Sequence, residues 1–338
     1  MSHIAIIGAG GWGTALGLVA GRAGHAVKLW SRNAEVVAGI NERRVNCVYL
    51  AAHEFVGDAR ATCELGEAVR GAQVVILAAP SHATRDLLER MASELRAEVV
   101  LVSATKGIEI ETGQRMSEVA GEVLGREVAA RFVCLSGPSF AQEVAAGHPT
   151  AVVAAGYDAR ATLVVQAALS FENFRVYTNG DLAGTELGGA VKNVIALAAG
   201  MVYGFGLGSN SIAALITRGL AEITRLALVE GGRAETLAGL AGLGDLVLTC
   251  TGALSRNRYV GQELGRGRTL EEILGGMHEV AEGVRTTRAV KLLAESRGIE
   301  MPITEQVHAV LYEGKSVRAA AEDLMARPLR GEFSGMNS

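Results

Sequence analysis

The chain has 338 residues, 49% of them apolar and 20% charged, with a formal net charge of −4 at pH 7. That composition supports a large buried core, excludes a disordered chain and, by length, suggests two domains. No basic stripe marks a nucleic-acid surface, and the four cysteines (Cys47, Cys63, Cys134, Cys250) lack CxxC spacing and read as thiols in a reducing cytosol. Seven scattered histidines show no metal-ligand spacing, so no metal is expected, and the N-terminus has no basic n-region and an apolar run too short for a signal peptide.

Ile4 to Ile7 form a short apolar run that leads into Gly8-Ala9-Gly10-Gly11-Trp12-Gly13, and Thr14 to Ala20 follow with a helical pattern. Strand, tight glycine turn and helix start in that order form a dinucleotide-binding fingerprint. Gly8 permits the turn, Gly10 lets the backbone approach a pyrophosphate, and Gly13 lets the helix pack closely on the strand. A second strand, Ala26 to Trp30, ends in Ser31-Arg32-Asn33. Enzymes restricted to NAD place a carboxylate there for the ribose 2′-hydroxyl; Arg32 suits a 2′-phosphate instead. NADP(H) is therefore the expected preferred cofactor, with NAD(H) also accepted.

Further strands are predicted at 73–79, 98–103, 131–135, 150–155 and 173–177, with helices between most of them, for example at 12–23, 33–43, 81–95 and 112–124. Near-continuous apolar strands such as Val74 to Ala78 mean burial on both faces and hence a parallel, doubly wound sheet. The last two strands extend that sheet in another direction. From Asp181 the strand signal fades. Asp181 can cap a helix in which Leu187, Val191, Val194, Ala198 and Met201 recur every three or four residues. Further helices are predicted near 209–230, 233–240, 258–264, 269–274, 284–297, 302–313 and 316–325. The apolar run Val194–Gly208 is shorter than a membrane span and reads as a buried helix, so no membrane insertion is expected. The expected organisation is a dinucleotide-binding domain at 1–180, a helical substrate domain at 181–330 and a loose tail at 331–338. Ligands bind at the carboxyl ends of the strands, so the chemistry is expected at the domain junction.

Three polar clusters stand out. Lys106 follows the strand at 98–103 within Ser103-Ala104-Thr105-Lys106-Gly107; on position alone it is equally a surface lysine. Ser136-Gly137-Pro138-Ser139-Phe140-Ala141-Gln142 places Ser139 and Gln142 at capping-box spacing, which predicts a helix start. In the helical half, Lys192-Asn193 interrupts an apolar helix. Asp245 and Thr249 are four apart, and Ser255-Arg256-Asn257 offers an arginine beside hydroxyl and amide groups, as a phosphate requires.

The chain resembles the NAD(P)-dependent sn-glycerol-3-phosphate dehydrogenases of the bacterial, soluble type across roughly residues 4–325. The motifs are GAGGWGTA at the start, SATKG at 103–107, SGPSFA at 136–141, ELGGAVKN at 186–193, GLGDLVLTC at 242–250 and SRN at 255–257. The resemblance implies a Rossmann-type α/β domain followed by an all-α domain of the 6-phosphogluconate-dehydrogenase-like kind. It also implies the interconversion of sn-glycerol 3-phosphate and dihydroxyacetone phosphate in the cytoplasm, feeding glycerophospholipid synthesis. Lys192 matches the family's proton donor and acceptor, and Lys106, Asn193, Asp245 and Thr249 match the polar groups around the reacting carbon. Gly137, Ser139, Ser255, Arg256 and Asn257 match substrate contacts. Gly11, Trp12, Arg32, Tyr49, Lys106, Ala141, Arg256, Val280 and Glu282 match cofactor contacts. The family pattern follows the tyrosine with Leu-Pro; here Tyr49 is followed by Leu50-Ala51. A homodimer is compatible with the exposed helical face, but no residue pattern demands it.

Free lysine has a pKa of ~10.4, too high for an efficient base at neutral pH. Burial and a second ammonium such as Lys106 would lower Lys192, and Asp245 would raise it; residue order alone does not rank the two. Other two-domain dehydrogenases acting on 6-phosphogluconate or 3-hydroxyacids also pair a lysine and an asparagine on a helix, whereas the 245–257 block favours a triose phosphate. A nucleotide sensor without catalysis would keep the glycine loop and could lose Lys192 and Asp245.

Overall fold

The computed structural model describes residues 2–277, 281–329 and 331–332. Val280, and the expected tail apart from Gly331 and Glu332, lie outside the described residues. The chain separates into two compact units: Met1–Thr105 with Met116–Leu182, and Lys106–Arg115 with Ala183–Ser338.

In the first unit strands and helices alternate: β1 (His3–Ile7), α1 (Gly11–Arg22), β2 (Ala26–Trp30), α2 (Ala34–Arg43), β3 (Ala59–Thr62), α3 (Leu65–Val69), β4 (Val74–Leu77), α4 (Thr84–Met91) and β5 (Val100–Ser103). After the excursion at 106–115 follow α5 (Met116–Leu124), α6 (Arg126–Ala129), β6 (Phe132–Ser136), α7 (Ala141–Ala145), β7 (Thr150–Ala155), α8 (Ala159–Leu169) and β8 (Phe174–Asn179). Among the described residues the strands form one eight-stranded sheet in the order β3-β2-β1-β4-β5-β6-β7-β8. All pairings are parallel except β6 with β7, so the last two strands do turn the sheet's direction. The winding reverses between β1 and β4, and the glycine loop leaves β1 at that switch point. Alternate residues of β1 enter different cores: Ile4 and Ile6 pack with Leu16 and Leu29, while Ala5 and Ile7 pack with Leu77, Leu101 and Phe132. Both faces are buried, which explains the near-continuous apolar runs.

Two sequence expectations need correction here. The residues of β3 are not among the predicted strands. Ala59-Arg60-Ala61-Thr62 is a four-residue edge strand of mostly small side chains, and its pairing with β2 rather than its own hydrophobicity makes it a strand. Ser139 does not cap a helix: α7 begins at Ala141 with Phe140 at its N-cap and no side-chain cap. The Ser139 hydroxyl instead donates to the carbonyl of Gly137 (2.9 Å).

The second unit is helical: α9 (Leu182–Gly204), α10 (Ser209–Val229), α11 (Ala234–Leu237), a π-helical turn at Leu240–Gly244, α12 (Asp245–Thr251), α13 (Arg256–Gly265), α14 (Leu270–Gly275), α15 (Glu282–Ser296), α16 (Pro302–Tyr312) and α17 (Val317–Met325). Ile108 from the 106–115 segment joins Leu187, Val191, Ile195 and Leu246 in this unit's core, which is why that stretch packs with the helices. α9 is long and apolar enough to cross a membrane, yet 83% of its most apolar stretch is buried inside the protein, as a core helix should be. It meets α13 backbone to backbone. A Cβ on Gly200 would lie 2.1 Å from the Arg258 carbonyl oxygen, and one on Gly261 would lie 2.0 Å from that of Leu197.

Candidate active site

In the sheet unit, the loop after β1 has the form a dinucleotide needs. Gly8 sits at φ +109°, and a Cβ on Gly13 would lie 1.9 Å from the Gly8 carbonyl oxygen, so the helix can approach the strand only with glycine there. A Cβ on Gly10, by contrast, would meet nothing within 4 Å. Gly10 is the N-cap of α1 and offers no side-chain cap, and Trp12 Nε1 is buried with no partner among the described residues. An uncapped helix start with open space before it and an unspent N–H donor fit a diphosphate bound by the loop 8–13. Arg32 is exposed at the carboxyl end of β2. Tyr49 is partly exposed in the turn after Asn46. Gly137, at the end of β6, adopts φ +132°, and a Cβ there would lie 3.0 Å from Val152 Cα. Ala141 opens α7.

In the helical unit the expected residues converge. Lys192, 5% exposed on α9, donates from Nζ to Asp245 Oδ1 (2.7 Å) and to Thr249 Oγ1 (2.7 Å). The other carboxylate oxygen of Asp245 accepts from Lys106 Nζ (2.7 Å). Asp245 starts α12, and Thr249, one turn later, donates its hydroxyl proton to the Asp245 carbonyl oxygen (2.6 Å). Thr249 thus presents a lone pair to Lys192. Asn193 Nδ2 donates to the Lys106 carbonyl oxygen (3.3 Å) and Asn257 Nδ2 to Asn193 Oδ1 (2.9 Å), while Asn257 Oδ1 accepts from the Gly283 N–H (2.9 Å). Asn257 therefore spends its carbonyl and one N–H on bracing the site from within. Ser255 caps α13 by accepting from Arg258 N (3.2 Å), and exposed Arg256 occupies the helix's first position. Glu282 begins α15.

The electrostatics settle the ranking that residue order leaves open. Burial pulls Lys192 down to about 8, against the raising pull of Asp245 and with help from the Lys106 ammonium. Burial alone would raise Asp245, but the two ammonium groups overcome it and hold the carboxylate below its ordinary range. Cys250, buried beside this array, is pushed up to about 12 by burial and so stays an unreactive thiol.

The π-helical turn carries the register of the site. A Cβ on Gly188 of α9 would lie 2.6 Å from the Ala241 carbonyl oxygen. Asn46 was missed by sequence reasoning: it is fully buried beneath the glycine loop, and a lone amide in Val45-Asn46-Cys47-Val48 carries no spacing signal.

Family models place the chain. The one described as NAD-dependent glycerol-3-phosphate dehydrogenase N-terminus matches residues 3–162, and its C-terminal counterpart matches residues 181–322. A protein of Koribacter versatilis named glycerol-3-phosphate dehydrogenase, NAD(P)+, is 55% identical over 330 residues, covering 97% of this chain and 98% of the relative. One of the same name from Geobacter sulfurreducens is 51% identical over 330 residues, covering 98% of each. The crystal structure of glycerol-3-phosphate dehydrogenase from Coxiella burnetii superposes with a TM-score of 0.92 at 41% identity, covering 96% of this chain and 99% of that one. The fingerprint loop, the lysine–aspartate array and these matches over nearly the whole length make the chain a member of the NAD-dependent glycerol-3-phosphate dehydrogenase family.

Proposed function

We propose that the chain interconverts sn-glycerol 3-phosphate and dihydroxyacetone phosphate with NAD(P)(H), and that the buried Lys106–Asp245–Lys192 array performs the proton transfer. The array carries the reading, because a lysine lowered to about 8 and held in register is what a keto–alcohol exchange requires.

The loop Gly8–Gly13 would hold the dinucleotide, whose nicotinamide would supply or accept a hydride at substrate C2. As the ketone is reduced, negative charge grows on O2, and Lys192 donates a proton from Nζ to that oxygen. In the reverse direction neutral Lys192 accepts it. Asp245 and Thr249 fix the ammonium's direction, which removes the reorientation that free lysine would need. Two ammonium groups against one carboxylate leave an excess positive charge that favours the forming alkoxide. Arg256 is the proposed phosphate holder, at the start of α13 where the helix dipole also favours an anion. Ser139 and Gly137 are proposed as substrate contacts, and Gly8 to Gly13, Arg32, Tyr49, Ala141 and Glu282 as cofactor contacts. Exposed Arg32, with no carboxylate at the end of β2, supports a preference for NADPH over NADH. A homodimer and a cytoplasmic location complete the proposal.

The test mixes the purified chain with NADPH and dihydroxyacetone phosphate and follows NADPH absorbance. Consumption with this ketone, and much slower consumption with unphosphorylated dihydroxyacetone, is expected. No consumption with either would overturn the reading.

A further inference from the structure

Asn46 lies between two predicted helical and strand elements, and nothing in its sequence setting marks it. In the structure it is fully buried, and its amide is spent completely. Nδ2 donates to the Ala9 carbonyl oxygen (2.8 Å) and to Thr14 Oγ1 (2.8 Å). Oδ1 accepts from the N–H groups of Val48 (3.2 Å) and Tyr49 (3.3 Å). Thr14, also fully buried, donates to the same Ala9 oxygen (3.3 Å).

We infer that Asn46 is a positioning residue for the cofactor's diphosphate loop: by holding the Ala9 carbonyl inward it turns the Gly10 N–H outward. The reason is the planarity of the peptide. In a trans peptide the C=O of one residue and the N–H of the next point in opposite directions. Ala9 O is captured by Asn46 and Thr14, so the Gly10 N–H faces away from them; a Cβ on Gly10 would meet nothing within 4 Å, so there is open space beside this residue for a ligand. Left to itself, a loop of small residues flanked by glycine would sample the flipped peptide as well. The same amide folds the turn that carries Tyr49, so one side chain sets both the loop and the proposed contact beside it. Asn46 touches no cofactor atom in this scheme; it acts through Ala9 and Tyr49. The inference rests on the sheet unit's role as the dinucleotide site.

The test compares Asn46→Asp, Asn46→Ala, Thr14→Val and Thr14→Ser with the unaltered chain. Asn46→Asp keeps the acceptor for Val48 and Tyr49 but sets a carboxylate against the Ala9 carbonyl. NADPH affinity is read directly from the change in its fluorescence on binding, and folding from thermal melts without cofactor. Asn46→Asp and Asn46→Ala should weaken NADPH binding at least about tenfold, with KM for dihydroxyacetone phosphate within about twofold of normal. Thr14→Val should weaken it by a smaller factor and Thr14→Ser should restore it, which keeps the test alive if the Asn46 variants fail to fold. Folded Asn46 variants, or folded Thr14→Val, with unaltered NADPH affinity would overturn the inference, as would equal losses for cofactor and substrate. If the unaltered chain itself bound no NADPH, the dinucleotide reading would fail instead.

Discussion

Gly188 of α9 lies against the carbonyl of Ala241, and each stands one helical turn before a member of the Lys192–Asp245 ion pair. The contact therefore acts as a gauge block for the Lys192–Asp245 separation. Gly188→Ala would drive a Cβ to 2.6 Å from a backbone oxygen that cannot swing aside. Overpacking of that kind costs about 1–3 kcal/mol. Since a displacement of about 1 Å can cost roughly a hundredfold in rate, kcat should fall by at least ~10-fold while KM for the cofactor holds. Thermal melts and steady-state kinetics check both halves; a variant with normal kcat would show that the contact does not set the site.

Lys192 should govern the pH dependence in opposite senses for the two directions. In the proposed role, reduction needs its ammonium, so that rate should fall as pH rises through about 8; oxidation needs the free amine and should rise over the same range. The Lys106 ammonium helps to hold Lys192 down, so Lys106→Met should move both profiles to higher pH. Lys192→Ala should lose about 10²–10⁴-fold in kcat. Profiles that stay in place in Lys106→Met would remove Lys106 from the electrostatics.

Arg256→Ala should raise KM for dihydroxyacetone phosphate by roughly 10- to 100-fold, the cost of a lost charge-assisted contact. Activity toward unphosphorylated dihydroxyacetone should change far less. Equal losses on both ketones would mean that Arg256 supports the fold rather than the phosphate.

Arg32→Ala should raise KM for NADPH and leave that for NADH nearly unchanged, because only the former carries the 2′-phosphate. Parallel kinetics with the two cofactors decide it.

Glu222 makes a separate prediction about stability. This buried carboxyl of α10 accepts from the N–H groups of Ile303 (2.6 Å) and Thr304 (3.3 Å) at the start of α16, and burial raises it to about 7. The fold thus holds a proton that the unfolded chain has already released above pH ~4.5. The contribution is complete below that pH and is lost as pH climbs toward 7, an effect on the order of 3 kcal/mol. Chemical denaturation of Glu222→Gln between pH 4.5 and 8 should show a shallower decline than the unaltered chain; identical slopes would refute it.

Much of this arrangement was legible from residue order because it depends on local pattern. Glycine spacing after β1, apolar runs for β4 and β5, and the four-residue step from Asp245 to Thr249 each follow from backbone periodicity. What escaped depends on partners distant in the chain. β3 is a strand because β2 lies beside it. Ser139 matched a capping pattern, but its hydroxyl found the nearer Gly137 carbonyl. Lys106–Arg115 follows a sheet strand yet packs among helices, because Ile108 has an apolar site there. Asn46 forms its bonds to Ala9 and Thr14 over 37 and 32 positions, a separation at which no periodicity speaks.

The seam between α9 and α13 has one more consequence. Gly200 and Gly204 face carbonyl oxygens of α13, and Gly261 and Gly265 face carbonyl oxygens of α9. Lys192 and Asn193 ride on one helix and Asn257 on the other, so the spacing of their backbones is set by main chain against main chain. Such a joint cannot be adjusted by degrees. Attempts to reshape the substrate range should begin at the exposed Arg256 end of α13, where there is still something to turn.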